Sequence, residues 1–409
     1  MFKLLLTIKG NARACLFTEP LWGIPFNLYT PFVILYMYHL GVLDAGIGII
    51  LAVGRLVQMV MAIAGGIITD KYGRRLTTLV ADIISWSIPM LIWAFSQNFW
   101  WFLTAAIVNG IWQITAVSWE CLWIDDLEES KIGPVFNWMY ITGMMAVFFA
   151  PIAGYFVQIY GVVPVVRVLY LFSFTSMTIK TVVLYIYSVE TDRGLERMAA
   201  TKNIPVKKLL LGYKDVFWQL MKSKNMMYAL TLQTILSITM LITTTFFALY
   251  ATQNLNIPAA FMGYFPILRA GVMLAFLLFI QERLNRFKPK NLMMLGITVY
   301  IAAMGWLLAS PIDNWIWLGI YVIIEACAAA LMFPRVDAIA ANAIAPKERA
   351  RLRSLFNMVI MAVSSPFAIL AGFLSDINRQ LPFILNITLF MIMAAAVLFI
   401  QQKREKIRV

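Results

Sequence analysis

Charge is what this chain has least of for its length: Asp, Glu, Lys and Arg make up 13% of its 409 residues, against 62% that are hydrophobic. A soluble domain carries about twice that charge, so a single water-soluble core is excluded. Histidine occurs once, at His39, which leaves no imidazole cluster for a metal. The three cysteines, Cys15, Cys121 and Cys327, stand far apart inside apolar runs and exclude both a disulfide framework and a CxxC site. No cofactor is expected, and neither is an enzyme.

What the chain does have is apolar stretches of about 20 residues, each long enough to cross roughly 30 Å of hydrocarbon as a helix. They fall near 14–38, 46–69, 76–96, 101–124, 134–158 and 164–188, then 226–250, 259–281, 291–309, 315–338, 355–375 and 382–401. The first follows a basic N-terminus as a signal peptide would, but it runs past Tyr38 without a small-residue cleavage site and reads as a retained span. Between the two sets, Glu190 to Lys224 is charged and weakly apolar, with Lys207-Lys208 beside Leu209 to Leu211 marking a short surface helix. The expectation is an all-α membrane protein: a six-helix bundle over 1–189, a cytoplasmic linker over 190–224 and a second six-helix bundle over 225–409.

Basic residues orient such a chain, because they are retained on the cytoplasmic side. Of the 33 lysines and arginines, 27 belong to the termini and the loops after even-numbered spans, five to the spans, and only Arg379 to an outer loop. Both termini are therefore expected in the cytoplasm of a bacterial cell, with the protein in the inner membrane. The net charge of +13 then faces anionic headgroups and requires no nucleic acid.

The loop after the second span reads Gly66-Ile-Ile-Thr-Asp70-Lys71-Tyr-Gly73-Arg74-Arg75. Gly66 lets a neighbouring helix approach, Gly73 permits a tight turn, and the basic run holds the loop at the cytoplasmic face. Asp70 opposes the macrodipole of the helix it ends, so it needs a compensating partner. This string resembles the signature loop of the major facilitator superfamily at all its fixed positions. The resemblance implies two bundles rocking about a central site, with the residue at Asp70 capping a helix of the opposite half. It also implies that the residue at Arg74 pairs with an acid at the end of span four, here Asp125 or Asp126. The equivalent stretch after span eight, Gln281 to Lys290 with Asn285 in place of the acid, is worn. Phe136-Asn137 and Phe356-Asn357 open spans five and eleven alike, as a duplication would leave them. Gly143, Ala150-Pro151 and Gly154 in span five loosely resemble the glycine-proline signature of drug-proton antiporters within the superfamily.

Polar groups within spans are expensive and therefore candidates for function. Asn109, Gln113 and Glu120 in span four fall at helical spacing with Trp112, Trp119 and Trp123 nearby, as a stripe lining a cavity would. Span seven carries Gln233 and Thr244. Glu325 in span ten is the first candidate for a coupling carboxyl, since burial moves such a group toward physiological pH; Glu120 and Glu19 follow. Arg55 lies 15 residues before Asp70 and Arg269 lies 16 before Asn285, which places two guanidinium groups at matching depths. They are candidates for an anionic substrate or for an ion pair with Glu325. Lys180, Asp82, Arg335 and Asp337 read as structural charges. The leading expectation is proton-coupled efflux of a small amphipathic compound by a monomer in the lipid bilayer. The alternatives are uptake or exchange of an organic anion through Arg55 and Arg269, and a non-transporting receptor on the same scaffold.

Overall fold

The computed structural model describes residues 8–205, 220–284, 286–343 and 349–405. Every regular element among them is helical. The surface helix expected at Lys207–Leu211 and the worn position Asn285 lie outside the described residues.

Among the described residues, eleven helices are long and apolar enough to cross a membrane. They are α2 (Asp44–Tyr72), α3 (Arg74–Ala94), α4 (Phe99–Ile124), α5 (Ser130–Tyr160), α6 (Val162–Tyr187), α7 (Lys224–Asn254), α8 (Ala259–Phe276), α9 (Pro289–Leu308), α10 (Trp315–Ala340), α11 (Leu355–Ile377) and α12 (Leu381–Leu398). The first expected span, here α1 (residues 10–39), is broken into Gly10–Thr18, Pro20–Tyr29, Thr30–Phe32 and Val33–His39. Pro20, Pro25 and Pro31 each remove a backbone donor and interrupt the hydrogen-bond ladder. The backbone stays right-handed at Glu19 (φ −58, ψ −39) and Phe32 (φ −108, ψ −5), so the pieces stack end to end over roughly 45 Å. That rod makes the count consistent with twelve.

Prolines and glycines shape the other spans. In α3, Pro89 withholds its N–H from Ser85, and the helix widens to a π-helical stretch over Ile83–Ser87. The side-chain amide of Asn109 in α4 donates to the vacated Ser85 carbonyl at 2.8 Å. Between α2 and α3, Gly73 takes φ +84 and ψ 167, a region open essentially to glycine alone. A short linker helix, Asp192–Thr201, follows α6 and is capped by Thr191, whose hydroxyl accepts from the Gly194 N–H at 2.9 Å.

The first six spans meet the last six most closely at the end of the molecule opposite Asp70. A methyl group on Gly48 of α2 would strike the Ala368 carbonyl of α11, and one on Gly372 would strike the Asp44 carbonyl. The same backbone-to-backbone approach joins α5 to α8, where Gly154 faces Ala260 and Gly263 faces Ala150. Of the small residues singled out in span five, Ala150 and Gly154 thus serve packing between the two sets, while Gly143 has open space beside it. An ion pair crosses at this end too: Arg379 donates to Asp44 at 3.0 Å, and Ser375 donates to the same oxygen at 2.6 Å. The Asp376 carboxylate accepts from the Ala45 N–H at 3.1 Å, capping the first turn of α2 from the other set.

Candidate functional site

The loop 66–75 sits at the other end and is tied down within its own set of spans. Glu190 accepts from the N–H groups of Arg74 (2.9 Å) and Arg75 (3.0 Å), so a carboxylate fills the N-terminus of α3. A side chain on Gly73 would collide with that carboxylate. Arg74 is buried and donates to Asp125 at 2.9 Å, while Asp126 receives the Asn11 amide at 3.5 Å instead. Arg75 donates to the Tyr185 carbonyl at 2.8 Å and lies 4.0 Å over that ring. Lys71 reaches the Ile204 carbonyl at 3.4 Å.

Among the described residues, the partners of the Asp70 carboxylate are Arg197 of the linker helix at 2.6 Å and Arg74 at 3.5 Å, where the resemblance implies a helix of the opposite half. The hydrogen bond and charge of Asp70 raise the Arg197 guanidinium above its ordinary range. The helix-terminal acid thus has a compensating cation next door, in the linker helix. Gly66 is half-buried, while its neighbour Gly65 takes the close approach to the backbone of Gln113 and Ile114.

Between the two sets lies a cavity of about 490 Å³. Its floor and walls are mainly apolar and rich in methionine, with Met144, Met240, Met262 and Met273 among the lining residues. One wall is polar. Arg269 of α8 donates to both oxygens of Glu325 of α10, at 2.8 and 3.2 Å, a forked pair. Glu325 is 5% exposed while the Arg269 side chain is 29% exposed, so the carboxylate is buried and the guanidinium borders the open space. Beside it, Tyr300 of α9 meets Thr243 at 3.3 Å, and Asn386 of α12 donates to Thr243 at 3.0 Å. The Tyr321 hydroxyl is buried and has no hydrogen-bond partner among the described residues.

Of the residues singled out from the sequence, Glu325, Arg269 and Thr244 line this cavity. Arg55 does not: it donates to Ser364 of α11 at 2.9 Å and Ser237 of α7 at 3.4 Å, a bridge between the two sets. The two guanidinium groups therefore do not face one another across one site. Gln233 is half-buried and donates to Asp337 at 3.3 Å.

The expected polar stripe on α4 is also redirected. A turn at Gly110 and Ile111 separates Phe99–Asn109 from Trp112–Ile124, so Asn109 and Gln113 do not share the face that uninterrupted spacing implies. Asn109 serves α3, Gln113 backs onto α2, and Trp112 packs on Trp86. Glu120 is exposed, and Trp119 stacks edge-on with Trp123. Helix α5 contributes Met144 and Val147 to the cavity where α4 was expected.

Glu19 belongs to a second polar cluster, in the interior of the first six spans. Lys180 of α6 and Asp82 of α3 are both buried and 3.5 Å apart, and Glu19 at the break in α1 lies within electrostatic reach of both. Thr115 and Thr181 face Asp82 without closing hydrogen bonds, and Lys180 stands 5.9 Å from the Trp119 ring. Two acids and one base share this site.

Tyr300, Tyr321, Asn386 and Glu190 were missed by sequence reading. Tyrosine and asparagine are unremarkable in membrane helices, and only Glu190's place just after a span hinted at a cap.

The family model described as Major Facilitator Superfamily matches residues 22–365 and again 234–408. The multi-drug resistance efflux pump PmrA of Streptococcus pneumoniae is 23% identical over 380 residues, covering 89% of this chain and 88% of PmrA. YqjV of Bacillus subtilis, an uncharacterized MFS-type transporter, is 28% identical over 130 residues, 31% of this chain and 32% of its own. Among solved structures, the nucleoside transporter NupG superposes with a TM-score of 0.72 at 16% identity, covering 95% of this chain and 98% of that one. A POT family transporter in complex with 5-aminolevulinic acid gives 0.73 at 13% identity, covering 98% and 99%.

Proposed function

Because the chain belongs to the major facilitator superfamily, we propose that it exports a small amphipathic organic solute in exchange for protons, with Glu325 as the coupling carboxyl. The observation that carries this reading is the Arg269–Glu325 pair on the wall of the central cavity. Protonating Glu325 cancels its charge and releases Arg269, so the cavity wall changes charge and shape in one step. The apolar, methionine-containing remainder accommodates varied apolar surfaces. Similarity to PmrA, a multi-drug resistance efflux pump, supports the outward direction.

The two sets of six spans then act as rocking bundles joined through residues 190–224, with the basic face and both termini in the cytoplasm of the inner membrane. In this orientation the Asp44–Arg379 end is the outer one, and the conformation is inward-facing. The Asp70 loop rests on the linker helix in this state and is free to engage the opposite bundle when the cytoplasmic side closes. Exchange of an organic anion between Arg55 and Arg269 fits less well, because Arg55 is held by Ser364 and Ser237 away from the cavity.

Proteoliposomes with a pH-sensitive dye in the lumen test the reading. Adding triphenylphosphine oxide to vesicles holding a proton gradient should dissipate the gradient through wild-type protein, and Glu325→Gln should abolish this. Wild-type dissipation no faster than in protein-free vesicles, across a panel of amphipaths, rejects the proposal and favours a receptor.

A further inference from the structure

The charge of the central cavity rests on two side chains. Among the described residues lining it, only Arg269 and Glu325 are charged. The other titratable groups beside them are the phenols of Tyr300 on α9 and Tyr321 on α10, which are neutral at ordinary pH. What α1, α5 and α7 present is uncharged.

A guanidinium does not lose its proton inside a protein, whereas a carboxyl readily gains one. The cavity therefore has two charge states: zero with the pair closed, and plus one with Glu325 protonated. Minus one is not available to it. An organic monocation would have to take the buried Glu325 from the half-buried Arg269 and leave a guanidinium unpaired in a largely apolar chamber, the costly way to divide such a pair. A monoanion finds net attraction only in the protonated state. An uncharged solute fits the closed-pair state, which is the unprotonated form that loads solute in a proton exchanger. The Tyr321 hydroxyl on the same wall, without a partner among the described residues, offers such a solute one hydrogen bond.

From these groups we infer that the solute is an uncharged amphipath bearing a hydrogen-bond acceptor, that permanent organic monocations are rejected, and that monoanions enter only when Glu325 is protonated. The inference rests on the reading of this cavity as the solute site, and it narrows that reading from amphipaths in general to one charge class.

Three probes built from the same phenyl groups separate the possibilities: triphenylphosphine oxide (uncharged), tetraphenylphosphonium (cation) and tetraphenylborate (anion). Binding to purified full-length protein is measured by equilibrium dialysis, and the specific part is what the cavity-filling variants Ala270→Trp and Met240→Trp remove. In the wild type the oxide should bind, with the phosphonium at least about tenfold weaker. Glu325→Gln, a stand-in for the protonated carboxyl, should gain borate binding by a similar factor. Tyr321→Phe should weaken the oxide by about three- to tenfold. Phosphonium binding as tight as the oxide overturns the charge class and leaves the cavity reading intact. No filling-sensitive binding of any probe overturns the cavity as the solute site, and this inference with it.

Discussion

Buried charges in this protein occur where their surroundings settle how many can be carried. In the cluster of Glu19, Asp82 and Lys180, the ammonium holds two carboxyls together in the interior of four helices. Removing Glu19 leaves a neutral Asp82–Lys180 pair, but removing Lys180 leaves two acids with no base. Lys180→Met should therefore destabilise by about 3–5 kcal/mol, while Glu19→Gln costs under about 1 kcal/mol. Thermal unfolding in detergent checks the ordering, and a larger loss in Glu19→Gln contradicts the charge count. The Glu190 carboxylate at the start of α3 follows the same logic. It offsets the orphan N–H groups of Arg74 and Arg75, which no neighbouring residue in sequence satisfies.

Among the elements, α2 and α11 are in backbone contact because Gly48 and Gly372 withhold side chains at the same level. Small residues are how helices approach closely where burial against lipid gives no hydrophobic drive. Gly372→Leu puts a branched side chain against the α2 backbone and should force this end apart. With the three native cysteines replaced, a cysteine at Met144 on the cavity wall should then react several-fold faster with a membrane-impermeant maleimide added on the Asp44 side. Unchanged labelling would show that the α2–α11 contact does not hold the end closed. The break in α4 at Gly110–Ile111 shows the converse. One turn of irregular backbone sends Asn109 to the carbonyl that Pro89 leaves free, and the apparent stripe disappears.

For the whole molecule, the Asp44–Arg379 pair works against the Asp70 loop. One joins the two sets at one end, and the other stays within its own set at the opposite end. Arg379 is 23% exposed at its side chain and Asp44 2%, so the pair is only partly screened by solvent. Asp44→Asn should shift the population away from the present conformation by at least about tenfold, or about 1.4 kcal/mol. The exchanged pair Asp44→Arg with Arg379→Asp should recover part of the shift. Distances between spin labels at the basic ends of α2 and α8 report the populations, and no shorter distance in Asp44→Asn argues against a lock.

Sequence alone determined the helical membrane class, the positions of eleven spans and the loop that resembles the family's, because hydrocarbon thickness and backbone hydrogen bonding leave few options for a chain this apolar. It also picked out Glu325 and Arg269, since a charge within a span is costly enough to stand out unaided. Which charges meet was decided only by tertiary structure. Arg269 closed on Glu325, Arg55 turned to serines, and Asp70 took Arg197, because pairing depends on helix rotation, on breaks such as the one in α4 and on which end of the molecule is closed. None of those quantities has a period that a sequence displays.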